Sequence, residues 1–373
     1  MQAALSIPGV MVVFSILAYL LAILVIVFIH EMGHFVVGRW CGVRIEAFSL
    51  GFGKEIWGFN DKHGTRWKFC WIPMGGYVKF EGDANAASMP DFNATHSPTS
   101  LPGAKLWKRF LIVAAGPVAN FLLAIAIFTS AYMFVGSPVN EPRVDDVLAG
   151  SAAEQAGLKA GDFIRSIDGA PITSFGDIQD AMLLHAEEPI ALVIDRAGQM
   201  QDITLTPKFA EIDDGFGGKV MKTQIGIKHD GKLDPQSNAK SGPVDAVAKA
   251  SHQTWLMVET TMRYIGKVFQ GTESANQLHG PVGVAKVAGE AAVQGPWTFI
   301  AFIGFISVSI GLVNLFPIPI LDGGHLLFYI VEAVIGRPVS PAAQEWSFRI
   351  GLTAILMLVV LVTVNDIPIL RGH

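Results

Sequence analysis

Four runs of apolar residues divide this chain. Val10 to Ile29, Phe110 to Val135 and Pro296 to Leu321 hold no charged side chain, and Ile350 to Val364 is shorter but equally clean. A helix needs about 20 apolar residues to cross a bilayer, so the first three runs predict spanning helices directly. The fourth reaches that length if it takes in Trp346 to Phe348 while Arg349 extends its charged end to the interface. Between Met1 and Gly9 there is no Lys or Arg, and the first run exceeds the ~7–15 residues of a signal-peptide core. It therefore reads as a retained helix.

Between these runs the pattern changes. Gly51-Phe52-Gly53, the alternation from Thr65 to Trp71 and the segment Ile72 to Phe80 predict short strands separated by turns. They are too apolar for a solvated loop, and a re-entrant or interfacial hairpin fits if protein or a watery cavity satisfies its backbone. Residues 83–104 are small, polar and Pro-rich and predict a loop. Further on, strand signals at Asp145 to Leu148, Asp162 to Ile167, Ile190 to Asp195 and Asp202 to Thr206 alternate with two helices, Ser151 to Ala156 and Ser174 to His185. Gly157, Asp168-Gly169 and Ala197-Gly198 mark the turns, and Ser174 is an N-cap. Residues 209–242, rich in Gly and Asp, read as a linker. Val247, Ser251, Trp255, Val258, Met262, Ile265 and Phe269 then recur at steps of three and four, which predicts one helical stripe that packs on the neighbouring module or lies on the membrane surface.

Composition agrees with a membrane protein: 51% of residues are hydrophobic, only 16% are charged, and the mean hydropathy is +0.43. Basic residues set the expected orientation. Arg39, Arg44, Lys54, Lys62, Arg66, Lys68, Lys79, Lys105, Lys108 and Arg109 all fall between the first two runs, several beside a span, which places that segment in the cytoplasm. Residues 136–295 and both termini then lie outside, and Arg337 and Arg349 return to the cytoplasm. The net charge of −5 says little about partners, and there is no basic patch interleaved with aromatics to suggest a nucleic-acid partner. Cys41 and Cys70 have no metal-binding spacing and read as reduced packing residues.

The first run continues into His30-Glu31-Met32-Gly33-His34. Two histidines four apart share one helix face, which suits two nitrogen ligands on a Zn²⁺ ion, and Glu31 beside them suits a general base. Ionisable residues at the end of an apolar span are costly there and default to function. A catalytic zinc takes a third protein ligand. Asp322 is the best candidate, because it closes Asn314-Leu-Phe-Pro317-Ile-Pro319-Ile-Leu321-Asp322-Gly323-Gly324-His325, where two prolines break the helix and open a wall for a polar site. One Zn²⁺ against two carboxylates, Asp322 and Glu31, sums to zero charge. His325 is the rival ligand. Asn314 or Asn120 could donate to a developing oxyanion. Gly75-Gly76 either pairs with an extended substrate strand or serves as a structural plug. A catalytically inactive scaffold that binds partners remains an alternative, but it has no use for Glu31. A metal transporter would want more ionisable residues along its spans.

Several motifs together resemble the site-2 protease family of intramembrane zinc metalloproteases, most closely its regulator-of-sigma-E-protease group. They are the span carrying His30-Glu-x-x-His34, the distant Asn314-x-x-Pro-x-Pro-x-Leu-Asp322-Gly, Ile72-Pro-Met-Gly-Gly-Tyr-Val-Lys79, Gly116-Pro-Val-Ala-Asn120 and Gly280-Pro-Val-Gly-Val-Ala285. The stretch from Gly150 to Ile164 with Ile167-Asp168-Gly169 resembles a PDZ domain of the circularly permuted bacterial type. The resemblance implies an α-helical polytopic membrane protein of four spans, with a cytoplasmic-side re-entrant β-like segment and one inserted α+β PDZ domain. The expected divisions are 1–37 (first helix), 38–104 (β-like segment and loop), 105–137 (second helix), 138–208 (PDZ domain), 209–295 (linker and amphipathic helix), 296–336 (third segment) and 337–373 (fourth helix and tail). It also implies regulated intramembrane proteolysis in a bacterial inner membrane. The expected substrates are single-pass membrane proteins such as anti-sigma factors, or remnant signal peptides, with a peptide bound by the PDZ groove as a further partner. Well-known members carry two PDZ modules in tandem, and residues 209–242 are too few for a second.

Overall fold

The computed structural model describes residues 8–83, 97–138, 141–185, 188–213, 219–228, 238–271 and 280–366. The two chain termini and most of the loop expected at 83–104 lie outside the described residues. In chain order the elements begin with helix α1 (Pro8–Trp40), strands β1 (Ile45–Asn60) and β2 (Arg66–Phe80), and helix α2 (Leu106–Phe134). There follow β3 (Ser137–Pro138), β4 (Asp146–Val147), α3 (Ala152–Gln155), β5 (Phe163–Ile167), β6 (Ala170–Pro171), α4 (Phe175–Leu184), β7 (Ile190–Arg196) and β8 (Gln199–Leu205). Next come β9 (Lys208–Asp213), β10 (Lys219–Gln224), β11 (Ile227–Lys228), β12 (Asn238–Ala239) and α5 (Pro243–Phe269). The chain closes with α6 (Pro281–Gln294), α7 (Pro296–Asn314), α8 (Asp322–Ile335) and α9 (Pro341–Asn365). Four helices are long and apolar enough to cross a membrane, namely Gly9–Trp40, Leu106–Phe134, Pro296–Asn314 and Pro341–Val364. The protein is a multi-pass membrane protein with these four spans.

The chain divides into two units. The first takes Met1–Phe128 and Leu278–Ile367. In it α1 runs on past His34 to Trp40, so the two histidines sit within the helix. Its N-terminal half packs against α6 and α7 through Ala18, Ala22, Ile26, Ala288, Ala291, Phe302 and Ile303. Helix α6 was not separated from the linker in the sequence; its Gly and Ala face gives little periodic contrast but lets it lie close to α1. Its first turn is tied to the end of α9, where the buried Asp366 carboxylate accepts from Gly280, Val282 and Gly283 N–H at 2.9–3.1 Å.

The expected short strands are instead two long ones. β1 and β2 pair, and residues 47–50 are flanked by 66–69 as well as by 76–79. Gly51 and Gly75, with φ of 86° and 102°, take backbone conformations that side chains rarely adopt; the register shifts between Leu50 and Phe52, and pairing continues on either side. The sheet packs on the C-terminal half of α1: Phe48 is wholly buried, with its ring 5.4 Å from Phe35 and 4.5 Å from Trp67. Asp61 closes the hairpin. Burial would raise its carboxyl, but Trp67 Nε1 and the Arg39 guanidinium hold it well below the usual carboxylate range.

The second unit takes Thr129–Gln277 and Pro368–His373. A four-stranded sheet in the order β6-β5-β7-β8 covers a core of Val144, Ala153, Leu158, Ile164, Ile178, Ile190, Leu192, Ile194 and Leu205. Ser174 and Asp177 form a capping box at the start of α4, as the sequence led us to expect of Ser174. These elements follow the order expected of a PDZ domain. The linker expectation for 209–242 needs correction. β9 and β10 form an antiparallel pair there, β11 pairs with β4, and the buried Ile225 joins the core. Gly and Asp content obscured these strands, and the partner of β11 lies early in the module. Helix α5 does not pack its whole stripe on the module. It buries Ala246, Ala250 and Leu256, while Val247, Trp255 and Met262 stay exposed, so close packing uses the small residues.

Candidate metal centre

Among the described residues, His30, His34 and Asp322 converge as a group of metal-ligating side chains. The first two come from adjacent turns of α1, and both are buried. Asp322 arrives from the far end of the chain because the helix of the third apolar run stops at Asn314, passes through Pro317 and Pro319, and restarts as α8 at Asp322 itself. His30 Nε2 lies 3.1 Å and His34 Nε2 3.4 Å from Asp322 Oδ2, and the two Nε2 atoms are 3.2 Å apart. Ligands held about 2.0–2.1 Å from a tetrahedral zinc stand about 3.3–3.4 Å from one another, so this donor set fits that ion. Asp322 Oδ2 is buried without a well-formed hydrogen bond among the described residues, as a carboxylate oxygen aimed at a cation would be.

Helix α2 supports the cluster from the side. His34 Nδ1 donates to the Ile112 carbonyl at 2.8 Å, so in the neutral ring the bare nitrogen is Nε2, which faces Asp322. Gly116, one turn on, has no side chain to keep α2 away from the two imidazoles. Asn120, a further turn on, reaches His30 Nδ1 at 3.3 Å. Arg109 at the start of α2 makes a two-bond ion pair with Glu332 of α8, at 3.1 and 2.5 Å, and so ties the helix carrying Asp322 to the helix backing both histidines.

The cluster opens on a cavity of about 180 Å³ lined by His30, Glu31, His34, Gly76, Tyr77, Val78, Asn314, Asp322 and His325, among others. Glu31 is on the cavity wall, together with Val78 of β2. Gly76 lies flush on α1: a β-carbon there would stand 3.1 Å from Glu31 Cγ and 3.0 Å from Val27 Cγ1. Gly75 is not among the cavity residues. Asn314 lines the cavity, with its amide donating to Ile310 of its own helix at 3.0 Å. His325 lies outside the converging group, with its ring edge-on to Phe328 and Phe348. Asn120 faces His30 and is not among the cavity residues. The Ile112 carbonyl and the Arg109–Glu332 pair carried no sequence signal of their role, since the first is a backbone group and the second joins distant helices.

Residues 18–359 match peptidase family M50. A Rhizobium meliloti protein provisionally named a zinc metalloprotease is 47% identical over 365 residues, covering 96% of this chain and 98% of that one. Metalloprotease MmpA of Caulobacter vibrioides is 35% identical over 382 residues, covering 94% of this chain and 95% of its own. The solved PDZ domain of an SdrC-like protein from Listeria monocytogenes aligns with 26% of this chain and 95% of its own, at 19% identity and a TM-score of 0.21. A family match over nearly the whole chain, with relatives of this identity, shows that the chain belongs to peptidase family M50 and is a zinc metalloprotease of the membrane.

Proposed function

We propose that this protein hydrolyses peptide bonds within the transmembrane segments of other proteins, in regulated intramembrane proteolysis. The observation that carries the reading is the convergence of His30, His34 and Asp322 beside Glu31 on one cavity among apolar helices. His30, His34 and Asp322 hold the ion. Zinc, when bound, supplies Lewis acidity toward the attacking water and the scissile carbonyl. Glu31 takes the proton from the water and delivers it to the departing amine. Asn314, the candidate donor that lines the cavity, steadies the oxyanion.

The substrates are single-pass membrane proteins, anti-sigma factors among them, or remnant signal peptides. A peptide bond within a helix is shielded by the helix's own hydrogen bonds, so the substrate must be extended before attack. The β2 segment from Gly76 to Val78, on the cavity wall, offers a backbone edge for pairing with it. The basic residues between the first two spans support a cytoplasmic position for the β1–β2 sheet. By that reading the PDZ domain and both termini are periplasmic, and the bilayer is a bacterial inner membrane.

The test is incubation of the purified protein with a labelled model transmembrane peptide, with and without a zinc chelator. Cleavage that stops with the chelator and returns with added zinc is the expected result. Cleavage indifferent to chelation would overturn the reading.

A further inference from the structure

We infer that Asn120 is a positioning residue for the metal centre: its side-chain oxygen accepts the Nδ1 proton of His30 and so fixes the ring form that presents a bare Nε2 to zinc. The inference rests on the ligand set proposed above and reassigns Asn120, which the sequence offered as an oxyanion donor.

Asn120 is wholly buried. Its backbone carbonyl accepts the Ser307 hydroxyl at 2.8 Å, so its place on α2 is anchored to α7. Its amide group lies 3.3 Å from His30 Nδ1. The two ends of an asparagine amide have nearly the same shape, and the bonding around them decides which way the group points. With the nitrogen toward the ring, it would donate to Nδ1. The ring proton would then sit on Nε2, the atom 3.1 Å from Asp322 Oδ2 and 3.2 Å from His34 Nε2. A protonated Nε2 has no lone pair for a metal. Asn120 Oδ1 is buried without a hydrogen-bond partner among the described residues, and a half-turn puts Nδ2 in its place, so the choice between the two orientations rests on the ring nitrogen that a metal needs bare. Turning the amide by half a revolution brings Oδ1 to His30 Nδ1. The oxygen then has a donor, the ring proton moves to Nδ1, and Nε2 is bare.

The other histidine supports this assignment. His34 Nδ1 already donates to the Ile112 carbonyl of the same helix. Ile112, Gly116 and Asn120 are spaced four and four, so they share one face of α2. That face gives each imidazole an acceptor behind its ring, with the bare glycine between them allowing the approach. Ligating histidines commonly pass their other N–H to such an acceptor, and losing it typically costs 10–100-fold in metal affinity.

The test compares the full-length wild type with Asn120→Asp and Asn120→Leu. Zinc affinity is read by competition with a chromophoric chelator, and the visible spectrum of the cobalt-substituted protein is read alongside. Asp keeps an acceptor and removes the amide donor; Leu has a similar volume and offers neither. Asn120→Asp should hold zinc within about threefold of wild type, and Asn120→Leu should lose about 10–100-fold with an altered cobalt spectrum. Wild-type affinity in Asn120→Leu, or an equal loss in both variants, would overturn the inference. The first result would return Asn120 to packing or to the substrate; the second would mean that the amide donates. If Asn120→Leu does not fold, Asn120→Asp alone decides, since loss of zinc there rejects the acceptor role and retention supports it. A wild type that binds no zinc would instead overturn the ligand set.

Discussion

Gly116 lies so close to His34 that a β-carbon on it would stand 2.5 Å from His34 Cε1, and 2.8 Å from His30 Cε1. No rotamer change at position 116 can relieve that overlap, because a β-carbon is fixed by the backbone. Gly116→Ala must therefore push α2 away from the histidines or turn their rings. Overpacking of this kind costs about 1–3 kcal/mol, and here it falls on the ligands. The variant should bind zinc at least about tenfold more weakly, in line with other disturbances of ligand support. Chelator competition measures this, and an unchanged affinity would show that the helix yields without moving the ligands.

Glu31→Gln separates the base from the ligands. Glutamine retains the shape of the side chain and cannot accept the proton. Turnover should fall by about 10²–10⁴-fold, the usual contribution of a positioned general base. Zinc content should stay at the wild-type level, since His30, His34 and Asp322 are untouched. Metal analysis beside a peptide-cleavage assay reads both quantities. Wild-type turnover in the variant would remove Glu31 from the mechanism.

Asp322→Asn and His325→Ala distinguish the two candidates for the third ligand. A neutral amide is a poor substitute for a carboxylate on zinc, so Asp322→Asn should lose most of the bound metal and the activity with it. His325 packs edge-on to Phe328 and Phe348 beside the cavity, and His325→Ala should keep the metal. The opposite pattern would make His325 the ligand.

The candidate metal centre was legible in the sequence because its parts are local. The pair His30 and His34 needs only a helix, and Pro317 with Pro319 announces the break that delivers Asp322. What holds those residues was not legible. His34 donates to the Ile112 carbonyl and His30 faces the Asn120 amide, both on another helix, and one of these partners is a backbone carbonyl that every residue possesses. The fold divides the same way. The four spans stood out by hydropathy and the PDZ order by its turns. The β9–β10 pair and β11 were hidden because their Gly and Asp content looks like linker, and because β11 takes as its partner β4, at the other end of the module. In α5 Ala246 and Ala250 make the close packing, because small residues permit a closer approach, while Val247, Trp255 and Met262 of the stripe stay exposed.

The orientation rests on the basic residues between α1 and α2. A reporter active only in the cytoplasm should work when fused near Ala94 and fail when fused near Gly198. The reverse result would invert the whole topology and place the β1–β2 sheet outside.

The PDZ domain is the remaining question, and its paired ends give a clean way to remove it. The chain enters it from the second span and leaves through α5 toward the third, so it is tethered at one side of the membrane. A folded domain tethered there would obstruct substrates with bulky outer domains and admit those already trimmed, which makes this protease the second of two cutters. Alternatively, its groove captures a newly exposed C-terminus, as PDZ grooves do. Cutting out only residues 143–207 would leave β9, β10 and β11 behind and strip Ile225 of its core. Ser137 and Pro138 pair with Ala239 and Asn238, so the entry and exit strands lie side by side. Paired strands of this kind are about 4.5–5.5 Å apart between Cα atoms, a gap that a two-residue Gly-rich turn closes. Replacing residues 139–237 with such a turn should therefore remove the module and keep the helices in register. Under the filter reading, the shortened protein cuts an untrimmed substrate that the wild type refuses, and cuts trimmed substrate at the wild-type rate. Under the capture reading, it cuts trimmed substrate more slowly and still refuses the untrimmed one. The filter is expected, because a tether at both ends holds the domain near the membrane without any ligand in its groove. With one module the barrier is partial, so the gain on untrimmed substrate should grow with the size of its outer domain. A rate independent of that size would count against filtering, and unchanged rates on both substrates would reject filter and capture together.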